Sequence, residues 1–357
     1  MNRPLSPALT QGTKLVSYSP FRISFAGGGT DINPFCDAYG GSVINTTIDR
    51  GVTVIYTPDE YELEISSRDF LKSVMIVGEN DNGDVLHKMA GLFRNYGIDR
   101  GRISINSGVP PGSGLGSSSA LTTAVLSLIH LYRNESRDPW EIAREAFSIE
   151  KNYFGITLGK QDPFAIAVGG FKFMEFTGGK EINHSLNQNQ AFWRELEGRT
   201  LLIYTGKTRE SSAYLKDQVD QSAAGNSQVV SNLREMKDLT HEMYSCALSG
   251  DMDGFLSGIN KGWDLKRNLG RNVSNSKIDH IISEALSSGA EAAKLMGGGG
   301  EGFVLAVCRP GSIEQVQSSM MKYSDCVIRI SFEESGTRSQ RFSPIFTCST
   351  ISAAPRS

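Results

Sequence analysis

Residues 108–120 read Gly-Val-Pro-Pro-Gly-Ser-Gly-Leu-Gly-Ser-Ser-Ser-Ala. Before them the alternation Ile103, Ile105 reads as a strand, and after them the stripe Leu121, Val125, Leu128, Ile129, Tyr132 reads as a helix. A glycine-rich turn opening a helix suits phosphate: bare backbone approaches the oxygens, and the free N–H groups and helix dipole favour an anion. Ser117, Ser118 and Ser119 add hydroxyls for capping, for phosphate oxygens or for a metal ion. A flexible linker is the bland alternative for Gly/Ser-rich sequence. The paired prolines, the ordered glycine spacing and the helix directly behind favour the phosphate grip. No Gly-Lys-Ser/Thr follows the glycines, so this is not the common P-loop.

Two further clusters carry similar chemistry. Pro20-Phe21-Arg22-Ile23-Ser24-Phe25-Ala26-Gly27-Gly28-Gly29-Thr30-Asp31 runs off the end of a strand, and Asp31 offers a carboxylate able to accept two hydroxyl hydrogen bonds, as a sugar requires. A β-turn with a solvated aspartate is the bland alternative for it taken alone. Lys294-Leu295-Met296-Gly297-Gly298-Gly299-Gly300-Glu301-Gly302 precedes an apolar strand at 303–308. Local sequence leaves it as a hairpin or linker, or as a tight turn set against a ligand.

The elements that position these clusters follow from pattern. Leu15–Phe25, Ser42–Ile48 and Val52–Tyr56 read as strands, with Tyr61–Ile65 and Val74–Val77 as extensions of the sheet. Val85–Tyr96 reads as a helix, then the strand at 102–107, the glycine loop and its helix. Asp138-Pro139 predicts an N-cap and first turn for a helix running to Tyr153. Strands near 171–176 and 200–205 flank an Asn/Gln-rich stretch, 182–190, expected as an exposed loop. Helical patterns follow at 210–223, 228–249, 251–267 and 276–289, then a strand at 303–308, a helix near 312–322 and a strand near 326–332.

Composition narrows the class. A chain of 357 residues, 39% hydrophobic and 21% charged, supports a substantial globular core. A net charge of −3 gives no reason to expect nucleic acid or an anionic membrane as partner. Five dispersed cysteines read as reduced thiols in a cytoplasm, and no apolar run reaches membrane-spanning length. The first fourteen residues lack the apolar core of a secretory signal. The five histidines show no metal-ligand spacing.

Together the three clusters resemble the GHMP kinases, named for galacto-, homoserine, mevalonate and phosphomevalonate kinases. Their motifs are a strand with a basic residue and a Gly…Thr-Asp-like turn, then Pro-x-Gly-x-Gly-Leu-Gly-Ser-Ser, then a C-terminal glycine-rich turn. All three occur here in that order, over roughly residues 15–335. Within the family, Arg22–Asp31, Gly159-Lys160-Gln161-Asp162-Pro163-Phe164-Ala165 and Gly169–Phe176 are most similar to the D-glycero-D-manno-heptose phosphate kinases. Galactokinases usually have Glu-His where this chain has Gly28-Gly29, which argues against plain galactose.

The resemblance implies a two-domain α+β fold. A domain like the second domain of ribosomal protein S5 spans 15–200 and a ferredoxin-like domain spans 201–342, with loose termini at 1–14 and 343–357. It implies ATP and Mg²⁺ in the cleft between them. Pro111, Gly112, Ser113, Gly114, Leu115, Gly116, Ser117, Ser118 and Ser119 would wrap the triphosphate, and Ser118 and Glu150 would hold the metal. Asp162 would take the proton of the attacking hydroxyl and Arg22 would steady the transferring group. Gly28, Gly29, Thr30, Asp31, Gly298 and Gly299 would face the sugar, with Arg209 and then Lys266 as contacts to a substrate phosphate. Arg68, Lys72 and Arg267 are weaker candidates, and Glu301 departs from the third motif, where a small residue is usual. The implied reaction phosphorylates the anomeric hydroxyl of a heptose 7-phosphate, on the way to nucleotide-activated heptose for bacterial surface polysaccharide. The implied partners are the sugar phosphate and ATP, and the chain would be a cytoplasmic monomer or homodimer. A kinase of an unphosphorylated sugar (fucose, galactose or heptose) and a non-catalytic sugar and ATP sensor are the competing readings.

Overall fold

Leu15 to Ala26 and Ile44 to Tyr56 pair antiparallel in the two longest strands, β1 (Lys14–Ala26) and, after the short helix α1 (Phe35–Tyr39), β2 (Gly41–Glu62). The computed structural model describes residues 12–67, 72–75, 85–110, 112–206, 212–223, 226–270 and 273–343. Pro111, Arg209 and Arg68 lie outside these. The chain continues through β3 (Glu64–Ser67), β4 (Lys72–Met75), α2 (Val85–Asn95), β5 (Arg100–Ser107), α3 (Ser117–Tyr132), α4 (Pro139–Asn152), α5 (Gln161–Val168), β6 (Lys172–Thr177) and β7 (Lys180–Ser185). These strands form one sheet, along β1-β2-β5-β3-β4 with β6 and β7 branching from β2. Helices α3 and α5 pack on it, and α4 packs against them. The register of β1 against β2 shifts between Ser24 and Ala26, next to the Gly27 turn. Such a bulge re-aims a strand end, here toward the site.

The second half runs α6 (Gln190–Gly198), β8 (Thr200–Tyr204), α7 (Ser212–Ala223), α8 (Ser227–Ser249), α9 (Met252–Lys266), α10 (Ser276–Ser287), β9 (Ala290–Leu295), β10 (Phe303–Cys308), α11 (Ile313–Met320) and β11 (Val327–Arg329). From β8, the elements α10, β9, β10, α11 and β11 complete a β-α-β-β-α-β unit in spatial order β11-β8-β10-β9, which is the expected ferredoxin-like arrangement. Its strands alternate: Leu201, Ile203, Val304 and Ala306 pack with α10 and α11, while Leu202, Phe303, Leu305 and Val307 join the core of the first sheet. Two sheets thus share one apolar interior. No helix of the described residues is long and apolar enough to cross a membrane.

Three expectations change. Residues 332–342 pair with the first sheet instead of the second: β12 (Phe332–Glu333) lies on β2, and β13 (Arg338–Phe342) lies on β1 from Lys14↔Phe342 to Tyr18↔Arg338. All five β13 side chains are exposed, so the strand carries no apolar alternation. At the other end Thr13 is buried and Lys14 opens β1, inside the stretch expected to be loose. Residues 182–185, the first part of the stretch 182–190 expected as a loop, belong to β7, paired with β6 from Lys172↔Ser185 to Thr177↔Lys180.

A charged clasp ties the helical layer together. Asp138 caps α4 through Trp140 N and Glu141 N, with Glu141 returning a bond to the Asp138 N–H. Deeper, buried His130 at the end of α3 reaches Glu135 Oε2 (2.8 Å) and Glu145 Oε2 (2.7 Å), while Tyr96 donates to Glu145 Oε1 (2.5 Å). Burial opposes a charged imidazole, but its bonds to the two carboxylates outweigh it and raise the His130 pKa above its usual 6.5. That stabilisation is fully present below pH 6.5 and is lost as pH rises through the raised folded value. His130→Gln should therefore cost about 2 kcal/mol at pH 6, and the gap to wild type should narrow as pH rises. Urea unfolding at a series of pH values checks this; a gap constant from acid to alkaline pH would remove the imidazolium from the account.

Candidate active site

The glycine loop before α3 rests on the glycine turn between β9 and β10. A Cβ on Gly114 would lie 2.6 Å from the Met296 carbonyl oxygen, and one on Gly297 would lie 2.6 Å from Gly114 Cα. Both residues have positive φ, 78° and 77°, so glycine is required twice over. Phe303 N donates to Ser113 O (3.1 Å) and Thr205 N to Gly302 O (2.9 Å), locking the two turns to each other and to β8. The stretch 297–302 is thus a tight turn set against the loop.

Arg22 and Asp162 form a two-pronged pair beside that contact. Arg22 Nε donates to Asp162 Oδ1 (2.8 Å) and Nη2 to Oδ2 (2.7 Å), while Nη1 donates to Gly114 O (2.6 Å). One guanidinium therefore spans the first sheet, the glycine loop and α5, in the planar geometry that favours arginine over lysine. The Arg22 side chain is 5% exposed and that of Asp162 is 29%, so the carboxylate is the member open to a ligand. Asp162 lies in the first turn of α5, with Lys160 as N-cap, and is not the cap itself.

Asp31 braces the same corner. Its Oδ1 accepts from Gly29 N and its Oδ2 from Gln161 N, both at 2.9 Å, so it ties the Gly27–Thr30 turn to α5. Burial raises its pKa despite these bonds, with Asp162 adding repulsion. Lys266, in the last turn of α9, donates to Gly297 O (2.5 Å). Burial, reinforced by Arg22, lowers its pKa to about 8. On β9, buried Lys294 donates to Phe25 O (3.1 Å), and its amine is held well below the usual lysine range by burial and by Lys266 and Arg22.

At the start of α3, Ser118 and Ser119 donate to Glu150 Oε1 and Oε2, each at 2.6 Å. Glu150 is fully buried on α4 and pairs with no basic side chain among the described residues. Burial pushes its pKa up to about 7, against the lowering effect of the two hydroxyls. Both halves open on one cavity of about 720 Å³. Its polar end holds Arg22, Asp31, Asp162 and Lys266 with Gly28, Gly29 and Gly298, and its middle holds Gly112, Gly114, Gly116, Ser117, Ser118, Ser119 and Glu150. Its far end is apolar, lined by Val52, Met89, Ile105, Leu121 and Phe154.

Comparison with known proteins agrees with this arrangement. The GHMP kinases N terminal domain matches residues 84–170 and the GHMP kinases C terminal domain matches 243–324. The D-glycero-alpha-D-manno-heptose 7-phosphate kinase of Campylobacter jejuni is 30% identical over 339 residues, covering 90% of this chain and 98% of that protein. The chain belongs to the GHMP kinases. The crystal structure of a D-glycero-D-manno-heptose 1-phosphate kinase from Bacteroides thetaiotaomicron superposes with a TM-score of 0.74 at 25% identity, covering 92% of this chain and 100% of that one. Lactococcus lactis galactokinase, 18% identical, shares the fold with a TM-score of 0.70, over 92% of this chain and 95% of that one.

In this GHMP kinase some expected site residues face elsewhere. Ser113 and Leu115 are fully buried away from the cavity: Ser113 supplies the carbonyl that holds Phe303, and Leu115 joins the core. Thr30 spends its hydroxyl on Gly27 O and Ser42 O (2.8 and 2.9 Å), shaping the turn from behind. Gly299 packs on Val273, and Glu301 does not line the cavity. Unforeseen in the sequence were the apolar end, which read only as core, and Gln218 on α7, which lay in an unremarkable polar helix. Lys294 opens the glycine-rich stretch 294–302, but nothing local in the sequence marks it as a buried cation.

Glu150 gives a test independent of catalysis. A carboxyl with pKa about 7 when folded and near 4.5 when unfolded makes stability fall as pH rises between those values and stay low above them. Glu150→Gln, which does not titrate, should be more stable than wild type at pH 8 without metal or nucleotide, by on the order of 3 kcal/mol. Thermal unfolding at pH 5 and pH 8 reads this; equal shifts at both would contradict a buried, uncompensated carboxylate.

Proposed function

We propose that this sugar kinase transfers the γ-phosphoryl group of ATP to the anomeric hydroxyl of D-glycero-D-manno-heptose 7-phosphate, giving the 1,7-bisphosphate and ADP. The observation that carries the reading is the Arg22–Asp162 pair, opening between the glycine loop and the Gly28–Asp31 turn. The full-length similarity to a heptose 7-phosphate kinase supports the choice of sugar.

Adenine fits the apolar end of the cavity, which leaves the triphosphate along the loop and the N–H groups at the start of α3. The sugar then lies against Gly28, Gly29 and Asp31 with its anomeric hydroxyl at Asp162. Asp162 accepts the hydroxyl proton as the sugar oxygen bonds to phosphorus and the bond to the ADP oxygen breaks. Arg22 holds that carboxylate in place and sets positive charge beside the transferring group. Lys266, with no carboxylate partner among the described residues, is positioned for an anionic substrate phosphate. The Ser118, Ser119 and Glu150 oxygens suit Mg²⁺, a hard cation that takes oxygen ligands and one or two carboxylates beside nucleotide phosphates. An unpaired buried carboxylate is the group such an ion would satisfy. Ser118 and Glu150 would hold it, and when bound it would offset charge on the phosphate oxygens.

The experiment is a substrate panel under coupled ADP detection: heptose 7-phosphate, heptose 1-phosphate, free heptose, fucose and galactose. A charge-assisted phosphate contact of about 1.5–3 kcal/mol favours the 7-phosphate over free heptose by roughly 10- to 150-fold. Asp162→Asn should lower kcat by a factor on the order of 10² with the KM for ATP unchanged. Equal efficiency on free and phosphorylated heptose would point to an unphosphorylated-sugar kinase. ATP binding without turnover on any sugar would point to a sensor.

A further inference from the structure

Gln218 faces the sugar end of the cavity from α7, an element to which none of the three glycine motifs belongs. Its side chain is largely buried and its Nε2 donates to the Gly29 carbonyl (3.0 Å). A Cβ on Gly29 would lie 3.2 Å from both Nε2 and Oε1 of this amide, so the side chain lies flat over the turn. Gly29 is thereby gripped on both sides, its N–H by Asp31 and its C=O by Gln218. The donor thus fixes how the amide is turned: Nε2 to the backbone, Oε1 left over. Oε1 has no hydrogen-bond partner among the described residues, while the residue lines the cavity beside Gly28, Gly29 and Asp31.

We propose that Gln218 is a specificity residue that reads a hydroxyl of the sugar, accepting its O–H at Oε1. The inference rests on the sugar-kinase reading and names the chemistry of one subsite: a neutral acceptor, suited to a polyol hydroxyl and not to the substrate phosphate. An oriented acceptor in the cavity wall discriminates because a bound sugar that covers it but lacks the matching O–H leaves it unpaired.

The test compares wild type with Gln218→Met, of similar length without polar atoms, on the best sugar of the panel and its singly deoxygenated analogues. Gln218→Met should raise the KM for the sugar about 5- to 20-fold, leaving the KM for ATP within about twofold. One deoxy analogue should lose a similar factor with wild type and lose nothing further with the variant. Such loss of discrimination at a single hydroxyl is not produced by a merely structural clamp on Gly29. Gln218→Asn, which withdraws the amide from the turn, adds a second reading and should likewise lose that discrimination. An unchanged sugar KM, or wild type and both variants losing equal factors on every analogue, would overturn the assignment. Wild type inactive on every heptose phosphate but active on another sugar would overturn the proposed substrate alone, and the same comparison on that sugar still decides Gln218.

Discussion

Two turns from different sheets touch backbone to backbone, with no room for a single methyl group at Gly114 or Gly297. That contact sets the height of the loop above β1 and therefore where the Gly114 carbonyl sits to receive Arg22. The position of Arg22 in turn aligns Asp162, and the same seat leaves the start of α3 open to the cavity. The glycines of the loop at 108–120 and of the turn at 297–302 are thus two halves of one constraint: each makes the other's close approach possible. Main-chain bonds from Phe303 and Thr205 then hold the joint, with the Thr205 hydroxyl accepting from Gly302 N.

Charge inside this joint is compensated in three different ways. Arg22 is neutralised by a carboxylate and a carbonyl; Glu150 is hydrogen-bonded by hydroxyls but not neutralised; Lys266 and Lys294 rest on carbonyls alone. The first arrangement is complete in itself. The other two leave buried ionisable groups whose charged forms are costly, and for those that line the cavity that cost falls when a group of opposite sign enters. Fixed donors and charges arranged before the ligand arrives are what phosphoryl transfer requires, since the reaction asks for placement and field more than for covalent help.

The parts of the chain that were legible share a strong local signature. The glycine loop, the Asp138-Pro139 helix start and the β8 and β10 strands each follow from spacing, capping or apolar alternation. Those that were not legible obey tertiary context. Strand β9 reads Ala-Glu-Ala-Ala-Lys-Leu, which by propensity is helix, yet it is buried between α9, α10 and β10 and pairs with β10. Strands β7 and β13 have no buried residue, so the alternation that betrays a strand is missing while the backbone pairing remains. In the site, side-chain type named Asp31 and Thr30 as sugar contacts, but much of their bonding goes into the turn itself. Gln218 had no signature at all, because its role comes from which turn its helix crosses.

The return of β13 to the edge of β1 also orders events during synthesis. As the ribosome releases the chain from its N-terminus, β1 emerges well before its partner at Arg338–Phe342. Through most of translation, then, β1 has one satisfied edge, on β2, and one open row of main-chain N–H and C=O groups. A chain made only part-way to Phe342 therefore carries a templating edge, and closing it joins Lys14–Tyr18 to Arg338–Phe342, segments far apart in sequence. Slow or interrupted elongation would expose the nascent protein to edge-to-edge association through that row.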